Sequence, residues 1–314
     1  MDGTSIVVGY DGSPAARSAL QWAAESAVCH WVPLRLVYAE PGVSRVKPAA
    51  DPRRLPPAAL IARGVEQARA RCGGKVPVTG VLVDGVAAKV LAEQSQRARM
   101  LVLGSRGRGG LAGLLAGSVS AAVASRARCP VVVLREDQGA HTAGSPVGVA
   151  VDDSSAAQAA LDFALAEAAA RAVDVVAVRV WDPSSAWERS GWDDSSRETA
   201  ERHALEASLR GWPEKYPTVP ISGRVIAGDP DRVLAEVSEG AQLLAVGGHG
   251  AVGLCLLHHA KRALPPSEAS TRGSVVSIRL QSWSMTSSSV CWSMTPSMRI
   301  RPFTRLENAC RSRD

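Results

Sequence analysis

The order of apolar and polar residues along the chain predicts strands that alternate with amphipathic helices. SIVVGY, at residues 5–10, is a short apolar run, which predicts a buried strand. PAARSALQWAAESAV follows it with apolar residues at helical spacing and with Pro14 near its first turn. Further helical segments separate the strands PLRLVYA, VPVTGVLV, RMLVLG and CPVVVLR. Strands joined by helices form parallel sheets covered on both faces, so we predict an α/β fold.

The second half of the chain repeats the first. Placing Asp152 on Asp11 aligns Ser154 with Ser13, and VDGVAAKVLAEQSQRARMLVLG aligns without a gap on IAGDPDRVLAEVSEGAQLLAVG. Self-similarity of this kind is the mark of an internal duplication. We predict a first domain at residues 1–136, a polar linker at 137–145 and a second domain at 146–265.

Residues 266–314 have a different composition. The segment is rich in serine and arginine, repeats WSMT at 283 and 292, and shows no sustained helix or strand period. A shifted reading frame that truncated the second domain and a genuine divergent tail both stay open as explanations. We predict an incomplete second sheet and a disordered segment from about residue 281 to 314, although SVVSIRL at 274–280 would suit an edge strand.

Glycines follow the strand RMLVLG at a fixed spacing. Gly104, Gly107, Gly117 and Ser118 form the pattern G-x-x-G-(x)9-G-S. Glycine lets the backbone approach a ligand closely and turn N–H groups toward an anion, and Ser118 and Ser120 add hydroxyl donors. Close packing is the alternative use of glycine. The GK[ST] ending of a P-loop is missing, which disfavours a Walker-type site.

Charged residues lie next to this pattern. Asp11 follows the first strand, at the edge where open α/β sheets bind ligands. It would contact a ligand, form a helix cap or Asx turn, or do both. Arg106 and Arg108 lie inside the glycine loop, where they would neutralise phosphate charge or simply be solvated.

The segments VVGYDGS, SRGRGG, GSVS and CPVVVLR together resemble the universal stress protein family in order and spacing, and the duplication resembles its tandem members. The resemblance implies two doubly wound, parallel, five-stranded sheets of the Rossmann-like, adenine-nucleotide-binding type. It further implies a stress-response module that binds ATP, with Mg²⁺ as an optional companion, and whose nucleotide occupancy regulates conformation or partner binding.

The resemblance also implies the site residues of the first domain. Asp11 would bind the nucleoside side, Ala39 would meet adenine through its backbone, and the glycines with Ser118 would hold the phosphates. The full set implied for the first domain is Gly9, Asp11, Ala39, Gly104, Arg106, Gly107, Arg108, Gly117, Ser118, Val119 and Ser120.

The second domain departs from the pattern. Asp152, Gly247 and Gly250 keep their places, but Ala260-Lys261 stands where Gly117-Ser118 stands in the first domain. We therefore expect Asp152, Gly247 and Gly250 to form a weak site at most. His249, His258 and His259 have no carboxylate or cysteine at ligand spacing, so no metal site is predicted.

Three function classes follow. Cleavage of ATP would need a positioned base and a metal-binding carboxylate, and Asp11 is the single candidate carboxylate near a loop that otherwise offers arginines and serines. Binding without efficient turnover is therefore favoured, and no catalytic residue is predicted. A slow ATP-hydrolysing enzyme and a ligand-free dimerisation scaffold stay as alternatives.

Composition and charge limit the classes of partner that we expect. The net charge of +6 comes from nine basic against three acidic residues after position 250, so residues 1–250 are neutral and a nucleic-acid partner is not expected. No apolar run reaches the roughly 18 residues of a membrane span, and the N-terminus lacks a signal-peptide pattern, so we expect a cytoplasmic location. The six cysteines show no CxxC spacing.

The strand VVVLR would pair across a homodimer or within an intramolecular pseudo-dimer.

Overall fold

The computed structural model describes residues 5–40, 55–105, 107, 118–134, 144–183, 194–248 and 275–278. The first half follows the predicted alternation of strands and helices. Its elements are β1 (Ser5–Gly9), α1 (Pro14–His30), β2 (Leu34–Glu40), α2 (Pro57–Cys72), β3 (Val78–Asp84), α3 (Ala87–Gln94) with a 3₁₀ turn (Ser95–Arg97), β4 (Ala98–Gly104), α4 (Ser118–Ala124) and β5 (Val131–Leu134).

The five strands of the first half form one parallel sheet in the order β3-β2-β1-β4-β5. The order reverses direction between β1 and β4, so this sheet is doubly wound, as predicted. Open sheets of this kind bind ligands at the carboxyl ends of the strands beside the reversal. The topology therefore marks the edge formed by β1, β2 and β4.

The second half repeats this arrangement. Its elements are β6 (Val147–Ala150), α5 (Ser155–Arg171), β7 (Val175–Trp181), α6 (Asp194–Leu209), α7 (Trp212–Lys215), β8 (Ile221–Ala227), α8 (Pro230–Gly240) and β9 (Leu243–Gly247). β6 to β9 form four parallel strands in the order β9-β6-β7-β8. Within the bounds predicted for the second domain, the described residues therefore supply one strand fewer than the first half has.

The fifth place in the second sheet is taken by β10 (Val275–Ile278). This strand runs parallel to β9 and antiparallel to β5, so the two halves share one ten-stranded sheet. The apolar pattern of SVVSIRL predicts an edge strand, and that expectation is wrong, because β10 lies between two strands. The end predicted for the second domain at residue 265 precedes this strand, and residues 281–314 lie outside the described residues.

The register of these strands relates the two halves by an approximate two-fold axis. Val131 lies opposite Leu101, and Val275 lies opposite Leu244, the counterpart of Leu101 in the second half. Val132 and Val276 are therefore counterparts, and they pair with each other across the β5–β10 ladder. Of the two pairings that the sequence left open for VVVLR, the structure therefore has the intramolecular one, between β5 and β10.

Local backbone signals show the same duplication. Ser13 caps α1 by accepting a hydrogen bond from the amide of Ala16 at 3.2 Å, and Ser154 caps α5 in the same way. Both helices end at a non-glycine residue in the left-handed region, Trp31 and Ala172, each with φ of 54°. Equivalent caps at both ends give α1 and α5 the same length.

Apolar residues on the two faces of the sheet pack against different helices. Ile6 and Val8 of β1 belong to a core cluster with α1 and α2, whereas Val7 points to the opposite face and to α3 and α4. The first cluster continues without interruption into β6 and α5 of the second half. No helix in the described part of the chain is both long and apolar enough to cross a bilayer.

Deletion of residues 274–314 is expected to destabilise the protein, because it removes β10 and leaves β5 and β9 with unpaired edges. The free energy of unfolding should fall by at least about 3 kcal/mol, at about 1 kcal/mol for each lost ladder hydrogen bond. Urea unfolding measures the change. The control is deletion of residues 282–314, which keeps β10 and should leave stability unchanged. Equal stability of the two truncations would contradict the placement of β10.

Candidate functional site

The carboxyl ends of β1, β2 and β4 converge at one edge of the first sheet. β1 pairs with both other strands, and Gly9, Ala39 and Gly104 lie at or beside the three strand ends. The topology therefore brings together three of the predicted site residues. Arg106, Arg108, Gly117 and Gly250 lie outside the described residues, as do His249, His258 and His259.

Asp11 forms the turn between β1 and α1. Its Oδ1 accepts a hydrogen bond from the amide of Ser13 at 2.9 Å, which is an Asx turn, while Ser13 itself caps the helix. Arg17 braces the same turn by donating to the carbonyl oxygen of Gly12 at 2.7 Å. Asp11 therefore forms the Asx turn that the sequence left open as one of its roles. This turn holds the carboxylate at the edge of the sheet.

Gly107 lies against this carboxylate. A Cβ atom built on Gly107 would be 3.0 Å from Oδ2 of Asp11, whereas Oδ1 already serves the Asx turn. Gly107 after β4 and Asp11 after β1 are therefore neighbours in space, although about 95 residues separate them along the chain. Only glycine leaves room at this position without displacing the carboxylate.

Ala39 presents its backbone to the same edge. The β1–β2 ladder ends where the amide of Tyr10 donates to the carbonyl of Val37 at 2.9 Å, and β1 then turns away. On the other side of β2, the carbonyl oxygen of Glu40 accepts a hydrogen bond at 2.7 Å from the amide of Gly85, which directly follows β3. Because backbone groups alternate along a strand, the amide and carbonyl of Ala39 face the side that β1 has left. A planar ligand with one donor and one acceptor would fit there.

Gly104 has a packing role. A Cβ at this position would lie 2.7 Å from the carbonyl carbon of Ala15 and 2.8 Å from the nitrogen of Ala16, both in the backbone of α1. Gly247, its counterpart, meets Ala156 and Ala157 of α5 at 2.8 and 2.9 Å. In both halves this glycine lets the end of a strand lie against the first turn of a helix. The alternative use of glycine therefore applies to Gly104 and Gly247.

Gly9 likewise sits in close packing, since a Cβ there would be 2.6 Å from Cδ2 of Leu103. The residues at the start of α4 differ in exposure. Ser118 and Val119 are exposed, whereas Ser120 is buried, and its hydroxyl faces the carbonyl oxygen of Ser105 at 3.5 Å. Ser118 is thus the accessible hydroxyl at this helix start, and Ser120 ties α4 to the end of β4.

The second half keeps the turn but changes its surroundings. Asp152 accepts a hydrogen bond from the amide of Ser154 at 2.9 Å, as Asp11 does from Ser13. Asp153 and Arg179 replace Gly12 and Tyr38 of the first half, and the Arg179 guanidinium donates to both carboxylate oxygens of Asp153 at 2.9 and 3.0 Å. This bidentate pair fixes the turn to β7.

Arg179 also joins the turn to α6. Its Nε donates to Glu201 at 2.6 Å, and the arginine side chain is only 10% exposed. The hydrogen bonds from Arg179 lower the pKa of Asp153, and the hydrogen bonds and charges of Asp153 and Glu201 raise the pKa of Arg179. This network is absent from the sequence predictions. Its signal is the basic residue in the middle of the apolar strand VVAVRVW.

Among the described residues, no group of three histidine, cysteine, aspartate or glutamate side chains is arranged to hold a metal ion. Among the described residues, the edge of the first sheet offers the Asp11 carboxylate, the backbone of β2 and Gly107.

Comparison with known proteins places these features in a family. The family model described as the universal stress protein family matches residues 4–135 and 145–271. Universal stress protein Rv2623 of Mycobacterium tuberculosis (strain H37Rv) is 36% identical over 260 residues, which cover 78% of this chain and 86% of that protein. Universal stress protein Rv1996 of the same strain is 34% identical over 281 residues, covering 81% and 88%.

A solved structure gives the same fold. The crystal structure of a universal stress protein from Archaeoglobus fulgidus DSM 4304 aligns with a TM-score of 0.57 and 16% identity. The alignment covers 88% of this chain and 96% of that chain, so the likeness extends over both halves.

Replacing Gly104 by alanine is expected to destabilise the fold by about 2–3 kcal/mol, because the new methyl group would force the backbone of α1 away from β4. Chemical unfolding measures the change. The control is Gly240→Ala at the end of α8, where an added Cβ meets nothing within 4 Å. That variant should be neutral or slightly more stable. A neutral Gly104→Ala would contradict the packing role.

Proposed function

Since the chain belongs to the universal stress protein family, we propose that its first half binds ATP at the edge formed by β1, β2 and β4, and that occupancy of this site regulates conformation or partner binding in a stress response. The second half contributes a weak nucleoside site at most. The expected location of this module is the cytoplasm.

The observation that carries the proposal is the meeting of Asp11 and Gly107. An Asx turn holds one carboxylate oxygen, and the other lies so close to Gly107 that a Cβ there would be only 3.0 Å from it. A nucleotide lying along this edge would offer its ribose hydroxyls to Oδ2 of Asp11 and its phosphates to the glycine loop. Hydrogen bonds to a carboxylate are among the stronger ones in proteins.

The adenine end of the ligand would lie on β2. The amide and carbonyl of Ala39 face the side that β1 has vacated, and adenine pairs one ring nitrogen and one amino group with such a backbone edge. At the other end, Gly107, Gly117 and the exposed Ser118 would hold the phosphates, with Arg106 and Arg108 neutralising charge. Gly104 and Gly9 would shape the site through packing.

The proposal is binding without efficient turnover. Phosphoryl transfer needs a metal-binding carboxylate and a group that positions the nucleophile. Asp11 is the carboxylate that lies at the glycine loop, and its Oδ1 is already engaged by Ser13. A companion Mg²⁺ would therefore be held mainly by the phosphates of the nucleotide itself.

Replacing Asp11 by asparagine should weaken ATP binding about tenfold or more, because a charge-assisted hydrogen bond to the ribose is lost. The amide oxygen of asparagine still accepts from Ser13, so the turn should persist. Calorimetric titration of the full chain measures affinity. The matched control is Asp152→Asn, which makes the same change in the second half and should leave the affinity unchanged. Equal effects of the two variants, or none, would refute the assignment.

Replacing Gly117 by valine should abolish ATP binding, because a side chain there would occupy the space assigned to the phosphates. Ala260 stands at the equivalent place in the second half, so Ala260→Val is the control and should bind normally. Equilibrium dialysis of the unaltered chain should give one nucleotide per chain. Two equivalent sites, or unchanged binding in Gly117→Val, would overturn this part of the proposal.

A further inference from the structure

Helices α1 and α5 meet at the same position of the two repeats. Ser26 of α1 and Glu167 of α5 are counterparts, 141 residues apart, as Asp11 and Asp152 are. The hydroxyl of Ser26 donates to Oε2 of Glu167 at 3.4 Å. These two residues therefore lie next to the approximate two-fold axis, where a symmetric dimer would place each residue against its own copy.

Glu167 is a buried carboxylate, only 1% exposed. His30 of α1 approaches its Oε1 with Nε2 at 2.6 Å, and Arg171 of α5 approaches its Oε2 with Nε at 3.3 Å. Burial raises the pKa of Glu167, but the hydrogen bond from His30 and the charge of Arg171 outweigh it, so the pKa lies below its ordinary value. The carboxylate is thus ionised and depends on both halves for its partners.

The first half supplies donors to this cluster. Nη2 of Arg99 lies 3.2 Å from Nδ1 of His30. Because a guanidinium only donates, Nδ1 accepts, so Nε2 carries the hydrogen and donates to Glu167. Arg171 in turn lies over the ring of Trp22 of α1 at 4.7 Å. Each half therefore presents a group that makes a close contact with the other half.

A like-with-like pairing through this surface would lack these partners. Two second halves would bury one Glu167 against the other, and two buried carboxylates in contact cannot both stay ionised. Two first halves would place Ser26 against Ser26 and leave His30 without its carboxylate. Removal of a hydrogen-bond donor from a buried charge is strongly destabilising, since the charge keeps its desolvation cost.

We infer that the α5 surface around Glu167 is an interaction surface specific for an unlike domain, namely one that presents a small hydroxyl residue and an imidazole donor at the places of Ser26 and His30. In this chain that partner is its own first half. The second half accordingly selects pairing with a first half and rejects a second copy of itself. This inference is independent of nucleotide binding.

An exchange of the two residues tests the inference in the full chain. Ser26→Glu should lower the midpoint of thermal unfolding by about 5 °C or more, because it buries two carboxylates together. Glu167→Ser should also lower it, because His30 and Arg171 lose their acceptor. The double variant should recover most of the loss, since a glutamate at position 26 would lie four residues before His30 and across from Arg171.

The control for added charge is Gln21→Glu on the exposed face of α1, which should leave the midpoint unchanged.

A second measurement reports on the pairing of the two halves itself. A protease site is inserted in the linker predicted at residues 137–145, and the folded chain is cut. The cut wild type and the double variant should elute as one complex in gel filtration, whereas each single variant should release separate halves.

Two results would overturn the inference. One is a double variant that is no more stable than either single variant, and the other is a Ser26→Glu protein that matches Gln21→Glu in midpoint and elution. If Ser26→Glu yields no folded protein, recovery of soluble, folded protein by the added Glu167→Ser change is the expected result. Continued insolubility of the double variant would then count against the proposed specificity.

Discussion

A parallel strand that is buried on both faces needs hydrogen-bond partners along both of its edges, and this constraint determines how the two halves are joined. β5 ends the first sheet and β9 would end the second, and the residues of both are largely buried. β10 satisfies both edges with one strand, because it runs antiparallel to the first and parallel to the second. The shared sheet then sets the two-fold relation, which brings α1 onto α5 and Glu167 between Ser26 and His30.

Most of the fold and part of the site were predictable from the sequence, because both rest on local patterns. Apolar runs and helical spacing located the strands and helices of the first half, and the duplication extended them to the second. The topology then explains why Asp11 and Gly107 meet. The sequence left open whether Gly104 serves ligand approach or packing. The short distance between Gly104 and the backbone of α1 shows that the glycine serves packing. No sequence pattern contains such a distance.

The features that escaped prediction depend on contacts between distant segments. β10 was expected at an edge, because its central place is evident only when the unpaired edges of β5 and β9 are known. Arg179 interrupts an apolar strand, but its partners Asp153 and Glu201 come from two other elements. The contact of Ser26 with Glu167 spans 141 residues and follows from the pairing of whole domains.

The place of β10 in the sheet also has a consequence for synthesis on the ribosome. β5 is complete once residue 134 has emerged, whereas its outer partner ends at residue 278. At roughly 5–20 residues per second, the nascent first half displays an open, apolar strand edge for on the order of 10–30 s. During that interval the edge is a template for the first halves of neighbouring chains on the same messenger. The order of the segments along the chain thus keeps this strand edge open until late in synthesis.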